Sequence, residues 1–190
     1  MKNIISKIAA VLILILTIFS CSSLKESIYN SDFPLSQDRA KSISGNFSLK
    51  IPNHWFSTID NENNSFELWL NNKDYSAAIT FINIIADDKS MLNKNEGEHE
   101  LAKLLNYSKI VKKAELGKKY NQFEYDEYFE LNGIPCAAFV FLSKENKKGR
   151  IVVFEFRGHY YESTATVLKE NEINKDTLFV IQNSVLSTIY

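Results

Sequence analysis

The chain has 190 residues, a formal net charge of −1, 45% hydrophobic residues and 13% aromatic residues. That apolar content excludes a disordered spacer, and the charge offers no basic excess for nucleic acid. Two cysteines are too few for a cysteine-rich zinc site.

Lys2 and Lys7 open the chain, residues 8–19 form a continuous apolar run, and Ile18-Phe19-Ser20-Cys21 follows. The run is shorter than the ~20 apolar residues of a stable membrane-spanning helix, so it reads as an export signal. The residues ahead of Cys21 resemble the lipobox of bacterial lipoproteins, with an aliphatic side chain three places before the cysteine and a small one immediately before it. The resemblance implies a signal peptide over residues 1–20 and lipid (palmitate among the acyl groups) on Cys21. It also implies a cell-envelope location, and Ser22 in second place resembles an outer-membrane destination facing the periplasm where the cell has two membranes. Loss of Lys2 and Lys7 with the signal would change the net charge from −1 to −3. Cys136 would then be the one free thiol, so the exported domain would have to be stable without an internal disulfide.

Residues 21–45 are polar and serine-rich and read as the lipidated N-terminus and a flexible tether, with a short ordered piece around residues 28–33. Residues 46–190 read as a single globular domain. Phe47, Leu49 and Ile51 alternate with Ser48 and Lys50 in a half-buried strand ended by Pro52. Residues 55–59 and 66–70 are short strands joined by a polar turn, and residues 75–85 are apolar on both faces, as in a central strand. Leu101, Leu104, Leu105 and Ser108 line one side of a helix over residues 98–108, which Ile110 and Val111 extend. A period of two returns with Phe123, Tyr125, Phe129 and Leu131, and Asn132-Gly133 is the strongest hairpin signal. Residues 134–142 form the return strand, residues 144–149 a polar turn, and residues 150–157 and 159–168 a further antiparallel pair broken at Gly158. A helix over residues 174–189 closes the chain, capped by Asn174, with Leu178, Ile181, Val185, Leu186 and Ile189 as its stripe. The fold class expected is α+β: an antiparallel sheet flanked by helices on both faces, in three layers.

The segment from Phe47 to Trp55 (FSLKIPNHW) resembles the opening strand and proline–tryptophan turn of the PsbP-like superfamily, which includes PsbP, Mog and DcrB-like proteins. The Asn132-Gly133-Ile134 hairpin, the strand starting Gly158-His159-Tyr160-Tyr161 and the closing helix ending in Ser184-Val185-Leu186 fall in the same order. The resemblance implies an antiparallel sheet with flanking helices and a binding or assembly role rather than catalysis. The family commonly has glycine before the tryptophan, where this chain has His54. If that turn requires positive φ, the histidine is strained.

Catalytic constellations appear only as near-misses. His99-Glu100 is followed by Lys103 where a zinc metalloprotease has its second histidine, which leaves a solvated helix start. Asp60, Glu62 and Asn64 are spaced like early calcium-loop ligands, yet Ser65 and Asn71 replace the glycine and bidentate glutamate, which leaves a polar turn. The six glycines form no phosphate-cradling loop. Cys136, in an apolar run, reads as a buried inert thiol; its one candidate partner in nucleophilic chemistry is His159. Glu124, Asp126, Glu127, Tyr128 and Glu130 read as a solvated strand face, or as a patch for a cation or basic partner. Lys144, Lys147, Lys148 and Arg150 read as a solvated hairpin tip, or as a contact for anionic headgroups. Trp69 alternates away from Leu68 and Leu70. It is a core residue if a helix covers its face, and a candidate partner contact if none does.

These readings supply no catalytic, cofactor-binding or metal-ligating residue. They lead to the expectation of a membrane-anchored, non-enzymatic lipoprotein whose domain binds an envelope protein. The alternative is a carrier of a lipid or other apolar small molecule, and a hydrolase is the least favoured.

Overall fold

The computed structural model describes residues 30–58, 65–85, 100–145, 147–169 and 173–190. Strands β1 (Leu35–Lys41), β2 (Ser48–Pro52), β3 (Trp55–Thr58), β4 (Leu68–Asn72) and β5 (Ala77–Ile84) precede helix α1 (Glu100–Leu116). Strands β6 (Tyr120–Leu131), β7 (Ile134–Ser143), β8 (Lys148–Phe156) and β9 (His159–Val167) follow, and helix α2 (Lys175–Leu186) closes the chain. A seven-stranded sheet runs in the order β3-β4-β5-β9-β8-β7-β6, all pairs antiparallel, and β1-β2 is a separate two-stranded ribbon.

Alternate residues of β8 divide the core. Val152 and Phe154 join a cluster with Phe47, Leu49, Leu178, Ile181 and Val185, contributed by the β2 region and α2. Ile151 and Val153 join a second cluster with Leu104 and Leu105 of α1. Successive side chains of a strand point to opposite faces, so each cluster belongs to its own face of the sheet. The structure is thus a mostly antiparallel sheet with two helices, more sheet-dominated than the expected three full layers. The β1-β2 ribbon shares one face with α2, and α1 packs mainly over β6, β7 and β8.

Residues 35–41, expected to lie in the tether, form β1. Composition could not show this: only Leu35 and Ala40, with the flanking Phe33, reach the core, and the strand is held mainly by its backbone ladder to β2. The Phe33 N–H also donates to Ser184 Oγ at 3.0 Å. Asn174 caps α2 as expected, its side chain accepting from the Asp176 N–H at 3.0 Å. Helix α1 extends eight residues past Ser108, to Leu116. Asn132-Gly133 and Arg157-Gly158 turn with positive φ at both residues, as a two-residue antiparallel hairpin requires. His54 has φ +66°, so the strained turn expected from the missing glycine is present. Gly149 is not in a turn. It lies in β8 under the Phe141 ring, where a Cβ would stand 2.4 Å from Phe141 Cζ and 2.8 Å from the Ala165 carbonyl.

Candidate partner-binding face

Trp69 lies on the same side of the sheet as α1, but beyond it. Leu68 and Leu70 point into the cluster under α2, which turns Trp69 and Asn71 to the opposite face. The register places Thr58, Trp69, Thr80 and Thr164 in one row across β3, β4, β5 and β9. All four are half-buried, as are Phe56, Ile82 and Thr166 on the same face. The tryptophan ring packs on Phe66 at 5.4 Å between centroids. Its indole nitrogen is out of solvent without an acceptor among the described residues, so ring packing rather than a hydrogen bond holds it. Asn71 Nδ2 donates to Thr58 Oγ1 at 2.6 Å, fixing the β3 edge of the row. The result is an amphipathic row in which Trp69, a residue type enriched in binding hot spots, is bordered by β-branched hydroxyls. Beside it a cavity of about 90 Å³ is lined by Lys41, Ile43, Thr58, Phe66, Glu67 and Trp69, among others. That volume is well below the ~300 Å³ at which ligand pockets begin.

The opposite face contains what sequence reading missed. Arg150, expected at a solvated hairpin tip, is fully buried in β8, and Glu127, expected on a solvated strand face, is 3% exposed. Arg150 Nη2 donates to Glu127 Oε2 at 2.8 Å, and Nη1 donates to Asn183 Oδ1 at 2.8 Å. Gln182 Nε2 donates to the Ser163 carbonyl at 3.0 Å, and the guanidinium lies over the rings of Phe129 and Phe179 at 5.1 and 5.8 Å. This network ties β6 and β8 to α2. The misplacement of Glu127 has a cause in the register, which shifts between Phe123 and Asp126. A bulge there reverses the inside-outside alternation, so Phe123 packs with the α1 cluster and Phe129 with the other. It leaves Tyr125 63% exposed, and of the remaining acids Glu124 pairs with Lys148 and Asp126 with Lys109.

The other candidates separate. Cys136 is buried in β7 and its thiol donates to the Ile134 carbonyl at 3.4 Å. Burial pushes its pKa up to about 12, with the charge of Arg150 opposing. His159 is exposed on β9, with β8 running between the two strands and Phe154 between Cys136 and Tyr161. The two residues are therefore not brought together. Tyr160 and Tyr161 point to opposite faces, Tyr161 fully buried and Tyr160 half-buried. Tyr160 donates to Glu100 Oε1 in a cleft of about 300 Å³ that Leu101, Pro135 and Glu155 also line. Desolvation, then the hydrogen bond to Glu100, raises the Tyr160 pKa. Two carboxylates make this cleft unsuited to an apolar guest. Cys21, His99, Asp60, Glu62 and Asn64 lie outside the described residues, and among those described no group of His, Cys, Asp and Glu could hold a metal.

A sheet of this order, capped by one helix on its closing segment, is similar to a solution structure of cyanobacterial PsbP (CyanoP) from Synechocystis sp. PCC 6803. The two share 14% identity over 80% of this chain and 91% of that one, with a TM-score of 0.51. A crystal structure from Bacteroides thetaiotaomicron also matches, at 13% identity over 83% of this chain and 48% of that one, with a TM-score of 0.45. No family model and no curated protein matches the chain. The protein therefore shares the fold of cyanobacterial PsbP.

Proposed function

We propose that this is a lipid-anchored envelope protein whose PsbP-like domain is non-catalytic. In this reading it binds a protein partner through the Thr58–Trp69–Thr80–Thr164 row. The observation that supports it is the partly accessible Trp69 on a sheet face beyond α1, which among the described residues packs mainly over β6, β7 and β8. The architecture is read as an α/β/α sandwich whose outer layer is incomplete, and the gap in that layer is the binding surface. Anchoring at Cys21 raises the local concentration of the domain at the membrane, so a modest interface suffices there. The separation of Cys136 from His159, and the raised pKa of the thiol, speak against a thiol hydrolase. Among the described residues, the small volume beside Trp69 and the carboxylates of the Tyr160 cleft favour a protein partner over an apolar guest.

The test is in-cell photocrosslinking from position 80, with position 110 on the outer side of α1 as control. One recurrent protein captured from position 80 alone, and lost in a Trp69→Ala variant with an unchanged circular-dichroism spectrum, is the expected result. Undiminished capture by the folded variant sinks the role of this face. For the anchor, Cys21→Ala is expected to release the protein from sedimented membranes. A variant that still sediments refutes lipidation at that cysteine.

A further inference from the structure

The strand register gathers lysines from distant segments at one end of the sheet. Trp55, Asn72, Ala77, Val167, Lys148, Leu142 and Gln122 mark that end, strand by strand. There the Lys144 N–H donates to the Lys119 carbonyl at 2.8 Å, joining the β7–β8 hairpin to the α1–β6 connection. Lys113, Lys118, Lys119, Lys144 and Lys147 are all exposed at this corner. Glu145 pairs with both Lys119 and Lys147, at 3.0 and 3.7 Å, and these two neighbours hold its carboxyl below the usual range. Glu115 and Glu124 are taken by Lys112 and Lys148. Among the described residues of this corner, five cations thus share one carboxylate, in a chain whose net charge is −1. The same end carries exposed Tyr75 and Leu168 at loop tips, 59% and 51% accessible, flanked by Lys73 and Lys169 with the exposed Asp74 between Lys73 and Tyr75. Lys169 Nζ donates to the Asp74 carbonyl at 2.7 Å.

The N-terminal chain enters the fold at this end as well. Leu35 pairs with Pro52, and the Asn53 N–H donates to the Pro34 carbonyl at 3.2 Å, beside the turn that leads to Trp55. We infer that this end of the sheet docks on an anionic lipid surface, an inference that rests on the proposed lipid anchor at Cys21. The cluster is made of lysines, compact charges suited to diffuse attraction by many headgroups. Tyr75 and Leu168 supply side chains of the kind that settle at a membrane interface. Docking here would leave the Thr58–Trp69–Thr80–Thr164 face standing edge-on to the bilayer and open to a partner.

The experiment uses the full lipidated protein purified from membranes and reconstituted on two vesicle types, neutral phosphatidylcholine and a phosphatidylcholine–phosphatidylglycerol mixture. Lysine acetylation rates are read by mass spectrometry. Flotation with both vesicle types is expected. Acetylation of Lys118, Lys119, Lys144 and Lys147 is expected to slow about tenfold on the anionic vesicles alone, the protection disappearing in high salt. Lys41, at the opposite end of its ribbon, is expected to react equally on both. Flotation with both types but equal lysine rates overturns the docking and leaves the anchor standing. Failure to float with neutral vesicles overturns the anchor and, with it, the docking. Because the readout is taken on the wild-type chain, no variant has to fold for the test to decide.

Discussion

The two faces of the sheet handle polarity in opposite ways. Under α2 the chain buries a full ion pair, Arg150 with Glu127, and surrounds it with Asn183, Gln182 and two aromatic rings. On the other face, beyond α1, it leaves Trp69 and a row of threonines only partly buried. A charge is expensive to bury and an indole inexpensive, so the arrangement runs against what burial alone favours. The difference separates two jobs. The α2 face fixes the packing of helix on sheet, and the face beyond α1 is the one proposed to bind a partner.

The comparison breaks first at Arg150. Arg150→Ala leaves Glu127 buried without its counter-charge, and the expected loss is about 3–5 kcal/mol in chemical denaturation. The double variant Arg150→Met, Glu127→Leu removes both charges with little loss of volume and is expected to recover most of that. A loss below ~1 kcal/mol in the single variant would mean the pair does not hold α2 to the sheet, and the contrast between the faces would fail.

Much of the fold was legible in the residues because it rests on local signals. Asn174 caps a helix, Asn132-Gly133 turns a hairpin, and Phe47, Leu49 and Ile51 point inward, all from spacing within a few residues. What sequence could not show depends on partners far along the chain. Arg150 looks like a hairpin-tip charge until Glu127 and Asn183 meet it across 23 and 33 positions. Glu127 looks solvated because a bulge resets the alternation of β6. The strand β1 is invisible in composition because its order comes from the ladder to β2. Trp69 was legible as a candidate by alternation alone. Whether a helix covered it was a question of where α1 lies across the sheet, which no local pattern encodes.

A smaller effect is expected at His54, where the β2–β3 turn brings the chain under the edge of the exposed face. A non-glycine residue at φ +66° carries a steric cost of roughly 1–2 kcal/mol, and the Lys73 N–H donating to the His54 carbonyl at 3.0 Å helps hold the turn in place. His54→Gly is expected to raise stability by about 1 kcal/mol, read as a shift in denaturation midpoint with unchanged slope. A destabilised variant would show that the imidazole makes a contact worth more than the strain.

The last contrast is between two carboxylates. Glu127 has a guanidinium against it; Glu162, on the face toward α1, accepts from Thr164 Oγ1 at 3.0 Å. Burial raises the Glu162 pKa above the ordinary 4.5, hydrogen bonding by Ser108 and Thr164 and the charge of Lys112 opposing and Glu115 adding to the rise. A carboxyl whose folded pKa exceeds its unfolded value is held protonated by the fold, so its contribution weakens as pH rises from 4.5 through the raised value. Glu162→Gln removes the titration and keeps a side chain able to accept from Thr164. Its stability is therefore expected to exceed that of the native chain above this window and to converge with it below, giving a flatter profile across the window. The effect is the smallest of the three because Glu162 is only partly buried and solvent screens its charge. Parallel profiles for the two chains would mean that this carboxylate is as well accommodated as Glu127, and that the faces differ less than their partners suggest.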